Sequence, residues 1–215
     1  SNGAGKSTLL NTIAGDIIPD AGQIKIENKV ITKEPSYGRS EYIARVFQDP
    51  LLGTCSHLTL AENLALAKSR GKRRFLKKAV DTSFKALIKE KLKELELGLE
   101  DRIDTPMVML SGGQRQAVSL LMATFSPLKL LLLDEHTAAL DPKTSAFVLS
   151  LTEKIVEQYK LTALMVTHSL SNALQYGNRT IMLHDSRLVY EVEGEERKAL
   201  TPSDLMLKFG ATLDS

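Results

Sequence analysis

The sequence predicts an α/β protein built on a mostly parallel sheet, because short β-rich apolar runs alternate along the chain with segments of helical period. Two further observations shape that reading. The runs at Leu130 and Ala163 are apolar throughout, as expected for strands covered on both faces. Across 49–126 the strand pattern stops and three helix-like segments follow, which reads as an all-helical insertion in the α/β core.

In chain order, the first element is a helix over 6–14 behind a glycine-rich turn, followed by strands over 23–27 and 42–47. Inside the insertion, helices are predicted over 59–68, 80–97 and 113–125. In the second of these, Phe84, Leu87, Ile88, Leu92 and Leu95 recur at helical spacing. A strand over 128–133 leads to a helix over 142–159, with Asp141 as N-cap and Pro142 at the first helical position. Its inward face carries Phe147, Val148, Leu151, Ile155 and Val156. Strands over 162–166 and 180–183 complete the pattern. The expected organisation is one domain over 1–215, with an α/β core from 1–48 and 127–215 and a helical subdomain over 49–126.

Composition narrows the function. With 43% hydrophobic and 25% charged residues in 215, the chain can bury a sizeable core. The 28 Lys and Arg against 26 Asp and Glu leave a net charge of +2, so no nucleic-acid partner is expected and any anion site must be local. The single cysteine, Cys55, excludes an internal disulfide framework, fits a reducing cytosol and reads as a small semi-buried residue. No apolar stretch approaches the roughly 18 residues that span a bilayer. No signal peptide is evident, and a start at Ser1 without Met reads as a truncated one. Lys68, Arg70, Lys72, Arg73, Arg74, Lys77 and Lys78 form a cationic run that reads as a solvated linker or as a contact for acidic protein or lipid headgroups.

Three segments carry chemistry. Ser1-Asn2-Gly3-Ala4-Gly5-Lys6-Ser7-Thr8 matches all but the first residue of the phosphate loop G-x-x-x-x-G-K-[ST]. Its glycines let backbone N–H groups close around phosphates, and the helix beginning near Lys6 adds its positive dipole end. Lys6 would neutralise β and γ oxygens, and the Ser7 hydroxyl would ligate Mg²⁺. The apolar run Leu130-Leu131-Leu132-Leu133 delivers Asp134 and Glu135 at a strand's carboxyl end, where open α/β sheets bind ligands. Asp134 suits the Mg²⁺ shell, and Glu135 could polarise an attacking water as general base. Finally, Leu110-Ser111-Gly112-Gly113-Gln114 places a serine and two glycines at a helix N-terminus, a second anion cradle.

With that third segment the chain resembles the ABC-type ATPases, whose identifying sequence is LSGGQ, and the resemblance covers essentially all 215 residues in order. It implies a P-loop NTPase (RecA-like) core and further roles. Gln48 matches the Q-loop glutamine that contacts Mg²⁺ and water and links the core to the helical subdomain. His168 matches the switch histidine that touches the γ-phosphate. Ala138-Ala139-Leu140-Asp141 looks like the D-loop, which runs across a dimer interface. The implied mechanism is ATP sandwiched between two subunits paired head to tail. Ser111 and Gly113 of one chain cap the γ-phosphate held by Lys6 and Ser7 of the other, while Glu135 and His168 align the water.

The resemblance further implies an ATPase that powers a membrane transporter from the cytoplasmic face. Its partners would be a second ATP-binding subunit in a homodimer, permease subunits and a solute-binding protein. Residues 136–142 with Tyr176-Gly177-Asn178-Arg179 look like the subunits of bacterial small-solute importers. Three departures mark a divergent branch: His136 where the family usually has Pro, Ala138 for the common Ser, and 119–124 without the usual Ala-Arg-Ala. Family members also carry upstream strands, an adenine-stacking aromatic residue and the first loop glycine, so weak ATP binding is expected of these 215 residues. Two alternatives are a non-transport ABC ATPase acting on ribosomes or DNA, disfavoured by one cassette and near-neutral charge, and a nucleotide-gated dimerisation module, disfavoured by Glu135 and His168.

Overall fold

The computed structural model describes residues 4–71 and 79–213. Its elements run α1 (Lys6–Ala14), β1 (Lys25–Ile26), β2 (Lys29–Val30), α2 (Ser36–Arg39), β3 (Ile43–Val46), α3 (Leu60–Lys68), α4 (Thr82–Lys93), α5 (Gly112–Ala123), β4 (Leu130–Asp134) and α6 (Pro142–Gln158). There follow β5 (Thr162–Val166), α7 (Leu170–Gln175), β6 (Arg179–His184), β7 (Arg187–Glu193), α8 (Gly194–Ala199) and α9 (Pro202–Leu213).

β4 lies between β3 and β5 and is parallel to both, in registers running from Ile43 opposite Leu130 to Val46 opposite Leu133, and from Leu130 opposite Thr162 to Asp134 opposite Val166. Its leucines divide by the two-residue period of a strand. Leu132 joins Leu10, Ile31, Ile43 and Val166 beneath α1, while Leu131 and Leu133 join the larger cluster formed with α3 to α6. The helices of 49–126 therefore share one continuous core with the sheet. The antiparallel pairs β1–β2 and β6–β7 complete the strands described.

The helix starts follow from side chains placed to accept orphan N–H groups. Thr59 and Glu62 form a capping box at α3, Asp81 accepts from Phe84 N–H at α4, and Asp141 accepts from Lys143 and Thr144 N–H at α6. Two buried arginines act as staples. Arg39 donates to the carbonyls of Thr12, Ile13, Thr32 and Glu34, and Arg197 donates to Thr180 Oγ1 and to the carbonyls of Ala173 and Tyr176.

Several expectations are corrected. Thr162 and Ala163, the first two residues of β5, are exposed, because β5 is the edge strand of the three-stranded sheet among the described residues and only its far end is buried. Leu87 and Phe147 are exposed at the margins of their helices' buried stripes, where Leu149 and Thr152 fill the place expected for Phe147. Cys55 is exposed, since it precedes the buried side of its loop and only its backbone is engaged, by Asn63. Of the cationic run, 72–78 lies outside the described residues. Lys68 sits over the Phe84 ring, and Arg70 is half-buried, its guanidinium pKa lowered by desolvation, so at that position a solvated linker is not what forms.

Candidate active site

Ser1, Asn2 and Gly3 lie outside the described residues, so the phosphate loop is seen from Ala4 onward. Ala4 is buried and its carbonyl accepts from Ser186 N–H at 3.3 Å, in the two-residue β6–β7 turn where Asp185 and Ser186 both have positive φ. Gly5 has φ 85° and precedes α1, a conformation that favours glycine; a Cβ there would also come 2.9 Å from Ser186 Oγ. The first helical bond is Leu9 N–H to the Gly5 carbonyl at 2.8 Å. The amides of Lys6, Ser7 and Thr8 therefore have no partner within the helix. No side chain caps them, whereas α3, α4, α5 and α6 are all capped by side chains. An uncapped N-terminus with Lys6 beside it suits a polyphosphate.

β4 and β5 bring the acids and the histidine to the same end of the sheet. Directly after β4, Glu135 takes φ 48°, an uncommon conformation for a non-glycine residue, while its N–H bonds the Val166 carbonyl at 3.1 Å. Its side chain is thereby aimed across β5 at His168, whose Nε2 lies 2.7 Å from Glu135 Oε1. Lys6 Nζ lies 3.0 Å from the Nδ1 of the same ring. The same Nζ is 3.4 Å from Nε2, so the ammonium, the imidazole and the carboxylate lie in mutual contact. Lys6, His168 and Glu135 form a continuous chain from the phosphate loop to the end of β4. Beside it a cleft of about 240 Å³ is lined by Glu135, His136, Thr137, Met165, His168 and Asn172, among others.

Asp134, 16% exposed, is held by Arg45, whose Nη2 lies 2.5 Å from Oδ2. Arg45 was missed from the sequence, although a lone cation in the apolar strand Ile43–Val46 is a readable signal, because a buried charge needs a partner. Gln48 follows β3 on an exposed bend. Its loop is fixed to the helical segment by the fully buried Gln116 of α5, which donates to the Phe47 carbonyl at 2.9 Å and which the sequence reading also missed.

Ser111 and Gln114 form a capping box at α5: Gln114 N–H donates to Ser111 Oγ (3.2 Å) and Ser111 N–H to Gln114 Oε1 (3.0 Å). Ser111 Oγ accepts there, so its hydrogen remains available to an outside acceptor. The glycines are needed for packing, since a Cβ on Gly112 would come 3.3 Å from Leu140 and one on Gly113 2.3 Å from Thr144 Cγ2. The start of α5 thus rests on the start of α6, where Thr144's hydroxyl and amide, then Lys143's amide, hold the Asp141 carboxyl below its usual range. Among the described residues no hydrogen bond or ion pair joins 111–114 to Lys6, Asp134, Glu135 or His168.

His136 is buried, and its Nε2 lies 3.0 Å from Thr152 Oγ1, whose own hydrogen is directed at the Val148 carbonyl (2.7 Å). The ring must therefore donate from Nε2. Burial pushes its pKa down to about 4.

The sheet, the phosphate-loop helix and two acids at the end of the central strand define the class as a P-loop ATPase. Comparison with known proteins then gives the family. Residues 1–138 match the family model described as ABC transporter. The tyrosine transport ATP-binding protein of Clostridioides difficile (strain R20291) is 49% identical over 209 residues, 97% of this chain and 83% of that protein. The thiamine import ATP-binding protein ThiQ of Shigella flexneri serotype 5b (strain 8401) is 34% identical over 195 residues, 91% of this chain and 79% of that protein. Among solved structures, a nucleotide-free ATP-binding cassette superposes with a TM-score of 0.74 at 26% identity, covering 92% of this chain and 79% of that one. A cassette in its ADP conformation gives 0.75 at 27%, covering 97% and 84%. The chain belongs to the ABC transporter ATP-binding family, whose members are ATPases coupled to transport. Among the described residues no helix is long and apolar enough to cross a membrane.

Proposed function

We propose that this chain is the ATP-hydrolysing subunit of a bacterial small-solute importer and works as a head-to-tail homodimer with ATP at the interface. The observation that carries the reading is the chain of contacts from Lys6 through His168 to Glu135, a cation for phosphate, an imidazole and a carboxylate within hydrogen-bond reach. Nucleotide entering the site takes over Lys6 together with the open amides of Lys6, Ser7 and Thr8, and the rest of the phosphate loop, Ser1, Asn2, Gly3, Ala4 and Gly5, is assigned to the same phosphates. Glu135 then accepts the proton of the water that attacks the γ-phosphorus. His168 holds Glu135 in place and contacts the γ-phosphate.

Magnesium fits the donor set offered by Ser7, Gln48 and Asp134, which are hard oxygen ligands; one carboxylate with a hydroxyl and an amide leaves positions for phosphate oxygens and water. When bound, the ion neutralises phosphate charge. Ser111, Gly112, Gly113 and Gln114 of one chain close over the nucleotide of the other, and the mutual capping of Ser111 and Gln114 still leaves the serine hydrogen to donate. Asp141, capping α6 beside the LSGGQ turn, lies in the D-loop at the same interface. Removal of the γ-phosphate removes these bridging contacts and the pair loosens.

In this reading 1–48 and 127–215 hold nucleotide, and 49–126 receives the permease. The names of relatives that move tyrosine and thiamine support a small-solute importer, with permease and solute-binding partners and a place on the cytoplasmic face of the plasma membrane. Phosphate release by the full-length protein tests the chemistry. Glu135→Gln is expected to lower it at least about a hundredfold, the order of a lost general base, and a rate near the parent's removes Glu135 from that role.

A further inference from the structure

Arg45 has no part in the mechanism above, yet it is the most heavily engaged charge beside the site. Its side chain is 13% exposed, with Nη2 2.5 Å from Asp134 Oδ2, Nη1 2.5 Å from Asn11 Oδ1 on α1 and 3.8 Å from Asp16 Oδ2. The guanidinium lies 4.7 Å from the centroid of the Phe47 ring, and Nε is buried without a hydrogen-bond partner. Three elements, α1, β3 and the end of β4, thus fix a permanent cation against the one carboxylate that the proposed function assigns to the metal. It meets only one oxygen of that carboxylate.

A cation already paired with Asp134 lowers what the carboxylate gains from a second one, and in a partly buried site that repulsion is poorly screened. We infer that Arg45 is a positioning residue that serves as resident countercharge to Asp134 and raises the magnesium concentration at which the site fills. The inference rests on the reading of Asp134 as a metal ligand. In the absence of metal, Arg45 spares the site an unpaired acid; when metal enters, its charge opposes tight retention, so the ion and nucleotide can leave together.

The test is the magnesium dependence of binding of a fluorescent ATP analogue, N-methylanthraniloyl-ATP, to the full-length protein. Arg45→Met keeps the apolar stem and removes the charge; the half-saturating magnesium concentration is expected to fall about tenfold or more. Arg45→Lys keeps a positive charge beside Asp134, and on that ground the half-saturating concentration is expected to stay within about threefold of the parent. A folded Arg45→Met with unchanged or higher half-saturation overturns the inference alone. Parent binding that ignores magnesium overturns the metal role of Asp134 and this inference with it. Should Arg45→Met not fold, the ¹⁵N guanidinium resonances of the parent decide: those of Arg45 are expected to shift on adding magnesium with nucleotide but not nucleotide with chelator, and their constancy overturns the proposal.

Discussion

Replacing His136 by Gln should flatten the acid side of the stability profile. The imidazole is shut between β4 and α6, donates to Thr152, and has its pKa pushed by burial from 6.5 to about 4. The unfolded chain therefore binds a proton between those values while the native one does not, and stability falls as pH drops. The stabilisation is complete above about pH 6.5 and is lost as pH falls toward 4. The two pKa values give about 2 kcal/mol lost by pH 5 and about 3 kcal/mol in full. Gln can still donate to Thr152 but does not titrate. Urea unfolding of parent and variant at pH 7.5, 6, 5 and 4.5 reads the difference, in which every other titrating group cancels. The gap between the two curves should narrow by about 2 kcal/mol between pH 7.5 and pH 5. Parallel curves over that range would show that His136 is not held unprotonated in the fold.

Gly113→Ala drives a methyl to 2.3 Å from Thr144 Cγ2 and should cost about 1–3 kcal/mol, a drop in melting temperature of several degrees. Thr144→Ser removes that methyl and keeps the hydroxyl, so the double variant should recover most of the loss, and equal destabilisation in both backgrounds would refute the contact. Arg39→Met leaves the carbonyls of Thr12, Ile13, Thr32 and Glu34 without their buried donor and should cost at least about 3 kcal/mol in urea unfolding. A loss under about 1 kcal/mol would mean that water replaces the guanidinium.

Much of this was legible in advance where one period or one cap decided the outcome. α1 falls where the glycine-rich turn and 6–14 place it, and Asp141 and Pro142 start α6 as their chemistry requires. The strand ending in Asp134 and Glu135 was equally plain. What escaped was decided by partners distant in sequence. β7 sets Leu188, Tyr190 and Val192 on one side and Arg187, Val189, Glu191 and Glu193 on the other, a mixed pattern that only its pairing with β6 makes a strand. The exposed start of β5 depends on its place in the sheet, which an apolar run cannot disclose. Arg45 and Gln116 act through residues 89 and 69 positions away, so no local spacing pointed to them. The meeting of Lys6 with His168, 162 positions apart, was available only through resemblance.

The most direct test of the shared nucleotide is the mass of full-length Glu135→Gln in sedimentation velocity at saturating ATP and magnesium. A dimer is expected with ATP, reverting to monomer with ADP and abolished by replacing Ser111 with a bulky residue such as Phe. A species that stays monomeric at saturating ATP, or a dimer indifferent to Ser111, would contradict the sandwich.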